Sequence, residues 1–265
     1  MDKSTAFDPA GARWLKVMLF AVAAVMLLAV ASPSRAQPAA LTGFWLHGAN
    51  QRCNPVCRNG AVVETPQFTG WAKEKIAAQK TEDAKRPVDA AGIADTYCLP
   101  NHPPGPMRTS APIDILITPK VAAIVAEDRA IARTIYLDGR AHPDMEAYDK
   151  TINGHSTGHW EGPILVVDTV GMSYELPDQD FANGAPVTET FHMLERFRVY
   201  DGGKMLEITT RFDDPKVYTK PFTERRIYER LDGEAATAME YYCDPRDARR
   251  GSSAPPEGMM EKSSN

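Results

Sequence analysis

Positive charge is in short supply in this sequence. Its 265 residues hold 30 lysines and arginines against 35 aspartates and glutamates, a formal net charge of −5, and the sequence pI is near 5.7. Such a chain projects no basic field toward a polyanion, so nucleic acid is not the expected partner. Cysteines are also scarce, four in all. No Cys-x-x-Cys pair and no HExxH run occurs that would place a zinc ligand set. There is no internal repeat. The one long apolar run, 17–30, falls short of the roughly 20 residues a membrane-spanning helix needs. Apart from one segment, helical periodicity is missing too, which argues against an alternating βαβ fold.

What is present begins with an export signal. Arg13 and Lys16 precede the apolar run, and Ser34-Arg35-Ala36 places small residues where a signal peptidase reads them. Residues 1–36 are therefore expected to be a cleaved signal peptide, leaving a periplasmic or secreted protein with no stable membrane insertion; an uncleaved anchor is the alternative. In an oxidising compartment Cys53, Cys57, Cys98 and Cys243 are expected to form disulfides. Three pairings are possible, and a soft-metal or redox role for Cys53 and Cys57 is the rival reading.

Residues 37–97 read as an extended lead-in, with a possible strand start at 41–45, followed by a surface helix over 68–86. Thr69 is its candidate cap and Pro87 its stop. Prolines at 100, 103, 104 and 106 make a non-helical connector. From 112 the pattern becomes eight short apolar or alternating runs: 113–118, 121–127, 131–137, 164–169, 189–200, 204–212, 223–231 and 236–243. Turn residues separate them. The expected fold is all-β: an antiparallel meander over 98–246, closing into a lipocalin-like barrel or packing as a two-sheet sandwich. Residues 247–265 read as a disordered tail.

Strand alternation isolates three charges among apolar neighbours. Glu195 shares a face with Phe191, Met193, Phe197 and Val199; Arg133 with Ile131, Ile135 and Leu137; and Glu127 with Val121, Ala123 and Val125. A lone buried charge is costly, so these groups form either a structural ion network or the lining of a pocket.

The densest chemistry lies between 138 and 169, which holds three of the six histidines with Asp138, Arg140, Glu161, Asp168 and Trp160. General acid–base work by a histidine oriented by a carboxylate is the first reading. A metal site drawn from His142, His155, His159 or His192 with a carboxylate is a second. The spacing Gly154-His155-Ser156-Thr157-Gly158 matches a nucleophile elbow. Without a strand–turn–helix context, however, Ser156 carries little weight as a nucleophile.

Five stretches then carry a resemblance: Asp138-Gly139-Arg140-x-His142-Pro143; Gly154-His155-Ser156-x-Gly158-x-Trp160-Glu161-Gly162; Leu165-Val166-Val167-Asp168-Thr169-x-Gly171; Glu195-Arg196-Phe197; and Asp214-Pro215-Lys216-x-Tyr218-Thr219-Lys220-Pro221. From 98 to 243 the chain resembles a family of secreted bacterial proteins with no assigned reaction. The resemblance implies an all-β exported protein. Pro163 and Ile164 after Gly162, and His159 where a basic residue is common, depart from that pattern.

The expectation is thus a periplasmic β-barrel that binds a small apolar or aromatic molecule and transforms it by histidine–carboxylate chemistry of lyase, isomerase or hydrolase type. His142 and His155 are the proton-transfer candidates, with Asp168 and Glu161 orienting them. Arg140 and Arg133 would hold an anionic group, Trp160 would stack on the ligand and Glu195 would join the pocket. No cofactor is expected. A non-catalytic binding protein and a metal-binding protein are the alternatives.

Overall fold

The computed structural model describes residues 40–47, 61–85, 103–108, 111–126, 131–172 and 185–237. The expected signal peptide, the four cysteines, Glu127 and the tail lie outside the described residues. So does most of the run at 236–243, of which the described start, Ala236 and Thr237, is not strand.

The described residues form β1 (Gly43–His47), β2 (Ala61–Val63), α1 (Gly70–Asp83), β3 (Ile113–Ile117), β4 (Val121–Ala126), β5 (Ile131–Tyr136), β6 (His155–Glu161), β7 (Ile164–Val170), β8 (His192–Tyr200), β9 (Met205–Asp213) and β10 (Phe222–Leu231). Strands β1 and β3–β10 are hydrogen-bonded in the order β1-β3-β4-β5-β6-β7-β8-β9-β10. The pairing of β1 with β10 closes them into a nine-stranded barrel, and β2 pairs with the same edge of β10 as β1, over Glu224–Arg226 beside the Tyr228–Leu231 stretch that β1 takes. The all-β barrel expectation holds. The strictly antiparallel meander does not, because β5 and β6 run parallel, with Ile135 opposite Ser156 and Tyr136 opposite Thr157. The stretch 155–161, which falls outside the eight expected strand runs, is itself a strand, β6. The chain reaches it through a connection, 137–154, that returns along the barrel wall.

Glycine makes β6 possible. Gly158 faces inward, and a Cβ there would lie 2.8 Å from Leu137 and 3.0 Å from Ile135. At the start of the strand, Gly154 has φ +64, and its missing Cβ leaves room for the Val170 carbonyl.

The interior has three layers. One apolar cluster gathers Trp45, Ile115, Ile135, Leu165, Phe197 and Tyr228. A second joins Met193, Phe212 and Phe222 to Ala72 and Ile76 of α1, so the helix packs against that end of the barrel. Thr69 caps α1 by accepting the Ala72 N–H at 3.2 Å, and its hydroxyl donates to the Lys216 carbonyl at 2.8 Å. Between the clusters lies a buried polar layer containing Arg133, Ser156, Thr169, Glu195, Thr210 and Glu224. In β4 the inward face is Ala122, Ile124 and Ala126, not the Val121, Ala123 and Val125 expected from alternation. Every residue of that strand is apolar, so period two alone could not say which face turned inward.

Candidate functional site

Alternation divides the sequence-derived site between the two sides of one wall. On β6, Ser156 and Gly158 point inward while His155 and Thr157 point outward; on β7, Val167 and Thr169 are inward and Asp168 outward; on β8, Glu195 is inward and His192 outward. Cross-strand register then sets Tyr136, Thr157 and Asp168 in one row on the outer face.

Inside, Arg133 and Glu195 form the ion network expected as one outcome of their isolation. Arg133 Nη1 donates to Glu195 Oε1 at 3.0 Å and Nη2 to Oε2 at 2.5 Å. Nη2 also donates to Thr169 Oγ1 at 2.7 Å, and Nε donates to Ser156 Oγ at 3.2 Å. Ser156 Oγ and Thr169 Oγ1 are 2.9 Å apart. Arg133 is 3% exposed and Glu195 not at all. Ser156 is thus a member of a buried network, its hydroxyl bonded to Arg133 and Thr169 rather than to a histidine. The same layer holds a second ion pair, Arg226 with Glu224, beside His47. Burial, then the Arg226 charge, pushes the His47 imidazole below its ordinary range, against a smaller upward pull from Glu224.

Outside, the histidines form a hydrogen-bonded run. His142, carried by the connection after β5, places Nδ1 2.8 Å from Nδ1 of His155. Its Nε2 lies 3.3 Å from Asp168 Oδ1 and 3.3 Å from Thr157 Oγ1. On the other side, His192 Nε2 donates to the same Asp168 Oδ1 at 2.8 Å. The order is therefore His155, His142, Asp168, His192. Burial pushes the Asp168 carboxyl upward, but its bonds and charge interactions with His192 and His142 outweigh that and leave it below its ordinary value. The Asp168 bond is the main cause raising His192, and burial followed by His142 and Arg140 lowers His155.

Those directions fix the tautomers by hydrogen-bond logic. Ionised Asp168 only accepts, so each histidine nitrogen bonded to it is a donor. A neutral His142 donating from Nε2 has its lone pair on Nδ1, which then accepts the Nδ1–H of His155. If His142 is charged, the shared proton lies the other way. A proton can therefore pass between His155 and His142 by reversing one bond.

Aromatic contacts enclose the buried end of the run. The Tyr136 ring stacks on His155 at 5.1 Å, and Tyr148 meets His155 edge-on at 5.9 Å. Arg140 lies over the Tyr136 ring at 3.9 Å and is held by Asp138 through Nε and Nη2. That pairing drops the Asp138 carboxyl to about 2. His155 is 9% exposed, whereas the side chains of His142, His192 and Asp168 are 24%, 38% and 39% exposed. A molecule arriving from solvent meets these three, and His155 stands behind them.

His142, His155, Asp168 and Arg140 thus come together as the sequence suggested. Glu161 and Trp160 do not join them. Glu161 pairs with Arg196 at 2.8 Å and with His159 at 3.3 Å, six residues along β6, about 20 Å of strand from His155. Trp160 turns inward and packs against the first apolar cluster. Arg133 and Glu195 lie across the wall, behind the histidines. The sequence had set His192 only among possible metal ligands, and the signal for its place was its outward parity on β8 opposite the face carrying Glu195. Tyr136 and Tyr148 had no distinguishing signal. Among the described residues no group of three or more histidine, cysteine, aspartate or glutamate side chains is arranged to hold a metal ion. The 2.8 Å contact between His142 and His155 is a direct hydrogen bond with no room for an ion between its atoms.

The molecule is, in class, a closed β-barrel with a histidine–carboxylate run on its outer wall. No protein-family profile matches the chain, and no curated protein matches it significantly.

Proposed function

We propose that this protein is an exported, periplasmic or secreted enzyme that acts on a small apolar or aromatic molecule by histidine–carboxylate acid–base chemistry of lyase, isomerase or hydrolase type. The observation that carries the reading is the continuous run His155–His142–Asp168–His192, which couples two solvent-reaching imidazoles through one carboxylate. His192, whose hold on its proton Asp168 strengthens, serves as general acid, and His142 serves as general base at Nε2 when that nitrogen turns from Asp168 to the bound molecule and Nδ1 donates to His155. Asp168 orients both. Arg140 has an Nη1 free of partners among the described residues, and that group would hold an anionic substituent. The motif resemblance to secreted bacterial proteins and the 1–36 signal pattern support the location, and disulfides among the four cysteines belong to the same proposal.

An activated ester is a direct probe of imidazole reactivity. Release of 4-nitrophenolate from 4-nitrophenyl acetate should exceed that given by an equal concentration of free imidazole. His142→Ala or His192→Ala should lower it by about 10²-fold, the low end for a positioned acid or base, while Glu161→Gln leaves it unchanged. Wild-type rates in both histidine variants would sink the catalytic reading. Retention of aromatic ligands without conversion would replace it with the non-catalytic binding alternative.

A further inference from the structure

The segment that carries His142 is fastened to the barrel in an unusual way. Its C-terminal part is held by backbone and amide bonds: Thr151 N–H donates to the Gly171 carbonyl at 3.3 Å, and Asn153 Nδ2 to the Ala132 carbonyl at 2.9 Å. Met145 and Tyr148 press on Gly171, where a Cβ would come within 3.0 Å of both side chains. Before Met145, among the described residues, the only side chain of the segment that bonds a strand is that of His142, through His155 and Thr157 on β6 and Asp168 on β7. Arg140 adds its stacking on Tyr136.

The key contact joins two identical nitrogens. An N–H···N bond needs one proton and one lone pair, so Nδ1 of His142 and Nδ1 of His155 can share a proton but cannot both carry one. A first proton is accommodated, because Asp168 faces His142 Nε2 and balances the charge. A second converts the contact into two like-charged donors in direct opposition. The other titratable groups facing this pair are Tyr136 from β5 and Arg140 and Tyr148 from the segment itself; His192 of β8 reaches it through Asp168. None of them is an acceptor for a second imidazolium proton at His155 Nδ1.

We propose that residues 138–153 form a pH-gated strap, closed on the barrel wall while the His142–His155 pair carries at most one positive charge, and lifted when both rings are charged. Lifting frees the Tyr136 and His155 face that the strap covers. The device is independent of whether the histidine run performs catalysis, since it needs only the paired nitrogens and a tether with one non-titrating end.

The direction follows from linkage. His155 binds its proton less readily in the closed state than the ordinary histidine value of 6.5. Closure is therefore fully favoured above that value and is lost as pH falls below it, by up to about tenfold in the open-to-closed ratio for each pH unit and proton. His192, raised by Asp168, acts oppositely: its bond contributes below pH 6.5 and is lost as pH rises through its elevated value. Acid opening is thus specific to the strap and should leave the Asp168–His192 end intact.

Hydrogen exchange of the intact protein, corrected for the intrinsic pH dependence of exchange, tests this. Between pH 7.5 and pH 5 the amides of 138–148 should lose protection by about tenfold or more, while β7 and β8 hold theirs. In His155→Phe, which retains a ring against Tyr136 but has no nitrogen, protection over 138–148 should not change across that interval. An unchanged wild-type strap at pH 5, or the same drop in His155→Phe, overturns the proposal. Imidazole nitrogen NMR on the wild type supplies a second readout that requires no variant. The shared Nδ1 proton should vanish at the pH where strap protection falls, and a strap that opens while the proton is still shared overturns it equally.

Discussion

A guanidinium and a carboxylate buried in the middle of a barrel must each be satisfied by the other, and Arg133 and Glu195 leave little unsatisfied. Two bonds join them, and Ser156 and Thr169 accept from two more of the guanidinium's donors. The pair therefore has a structural task with a positional consequence. Ser156 is flanked in β6 by His155 and Thr157, and Thr169 in β7 follows Asp168, so the inner network fixes the backbone from which the outer residues project. Removing one partner strands a buried charge. Glu195→Ala should cost about 3–5 kcal/mol in urea denaturation, and Arg133→Met with Glu195→Leu together should recover most of that, since well-packed apolar replacements of a buried pair are often near neutral. A double variant as unstable as the single would show that the layer acts through more than charge balance. Tuning at the outer residues is of another kind. Asp168 raises one histidine, His192, and is itself held ionised by it, so these two groups are best regarded as one titrating unit.

At the scale of elements, the strands with a clear polar–apolar alternation and firm turns were readable from sequence, and those with neither were not. Glu189 to Tyr200 was legible because only one of its faces is apolar, and Glu195 stood out on it. In β4 both faces are apolar, so its inward set was misassigned. β6 was hidden because its inward positions hold Ser156, Gly158 and Trp160, an unpromising strand face whose small members exist to admit Leu137, Ile135 and Arg133. For the same reason the site was half visible. Histidines and Asp168 can be counted in a sequence, but which side of a wall they occupy follows from a parity that the unseen strand sets. Helix α1 was legible from its cap, and the cap has a measurable share in its stability: Thr69→Ala should cost about 1 kcal/mol, with somewhat more if the bond to the Lys216 carbonyl matters. Gly158→Val should be worse, about 1–3 kcal/mol through overpacking against Leu137 and Ile135. Thermal unfolding of both variants checks that ranking, and a neutral Gly158→Val would mean that the core yields there.

At the scale of the whole molecule, the described strands form two meanders, β1-β3-β4-β5 and β6-β7-β8-β9-β10, each built from neighbours hydrogen-bonded in order. They meet at the β1–β10 closure and at the brief parallel seam where Ile135 faces Ser156 and Tyr136 faces Thr157. The crossing connection is exposed at Glu146 and Ala147. Cutting the chain between those residues should yield two fragments that fold little alone and regain strand circular dichroism when mixed; autonomous folding of either fragment, or failure of the mixture, would contradict this division. The seam has a further meaning. Tyr136, Arg140 and His142 belong to the first fragment, and His155, Asp168 and His192 to the second, so the run of imidazoles is written across a break between two half-molecules. In engineering terms the barrel is a coincidence detector. Each half carries an incomplete sentence of the chemistry, and only an encounter between them makes it readable.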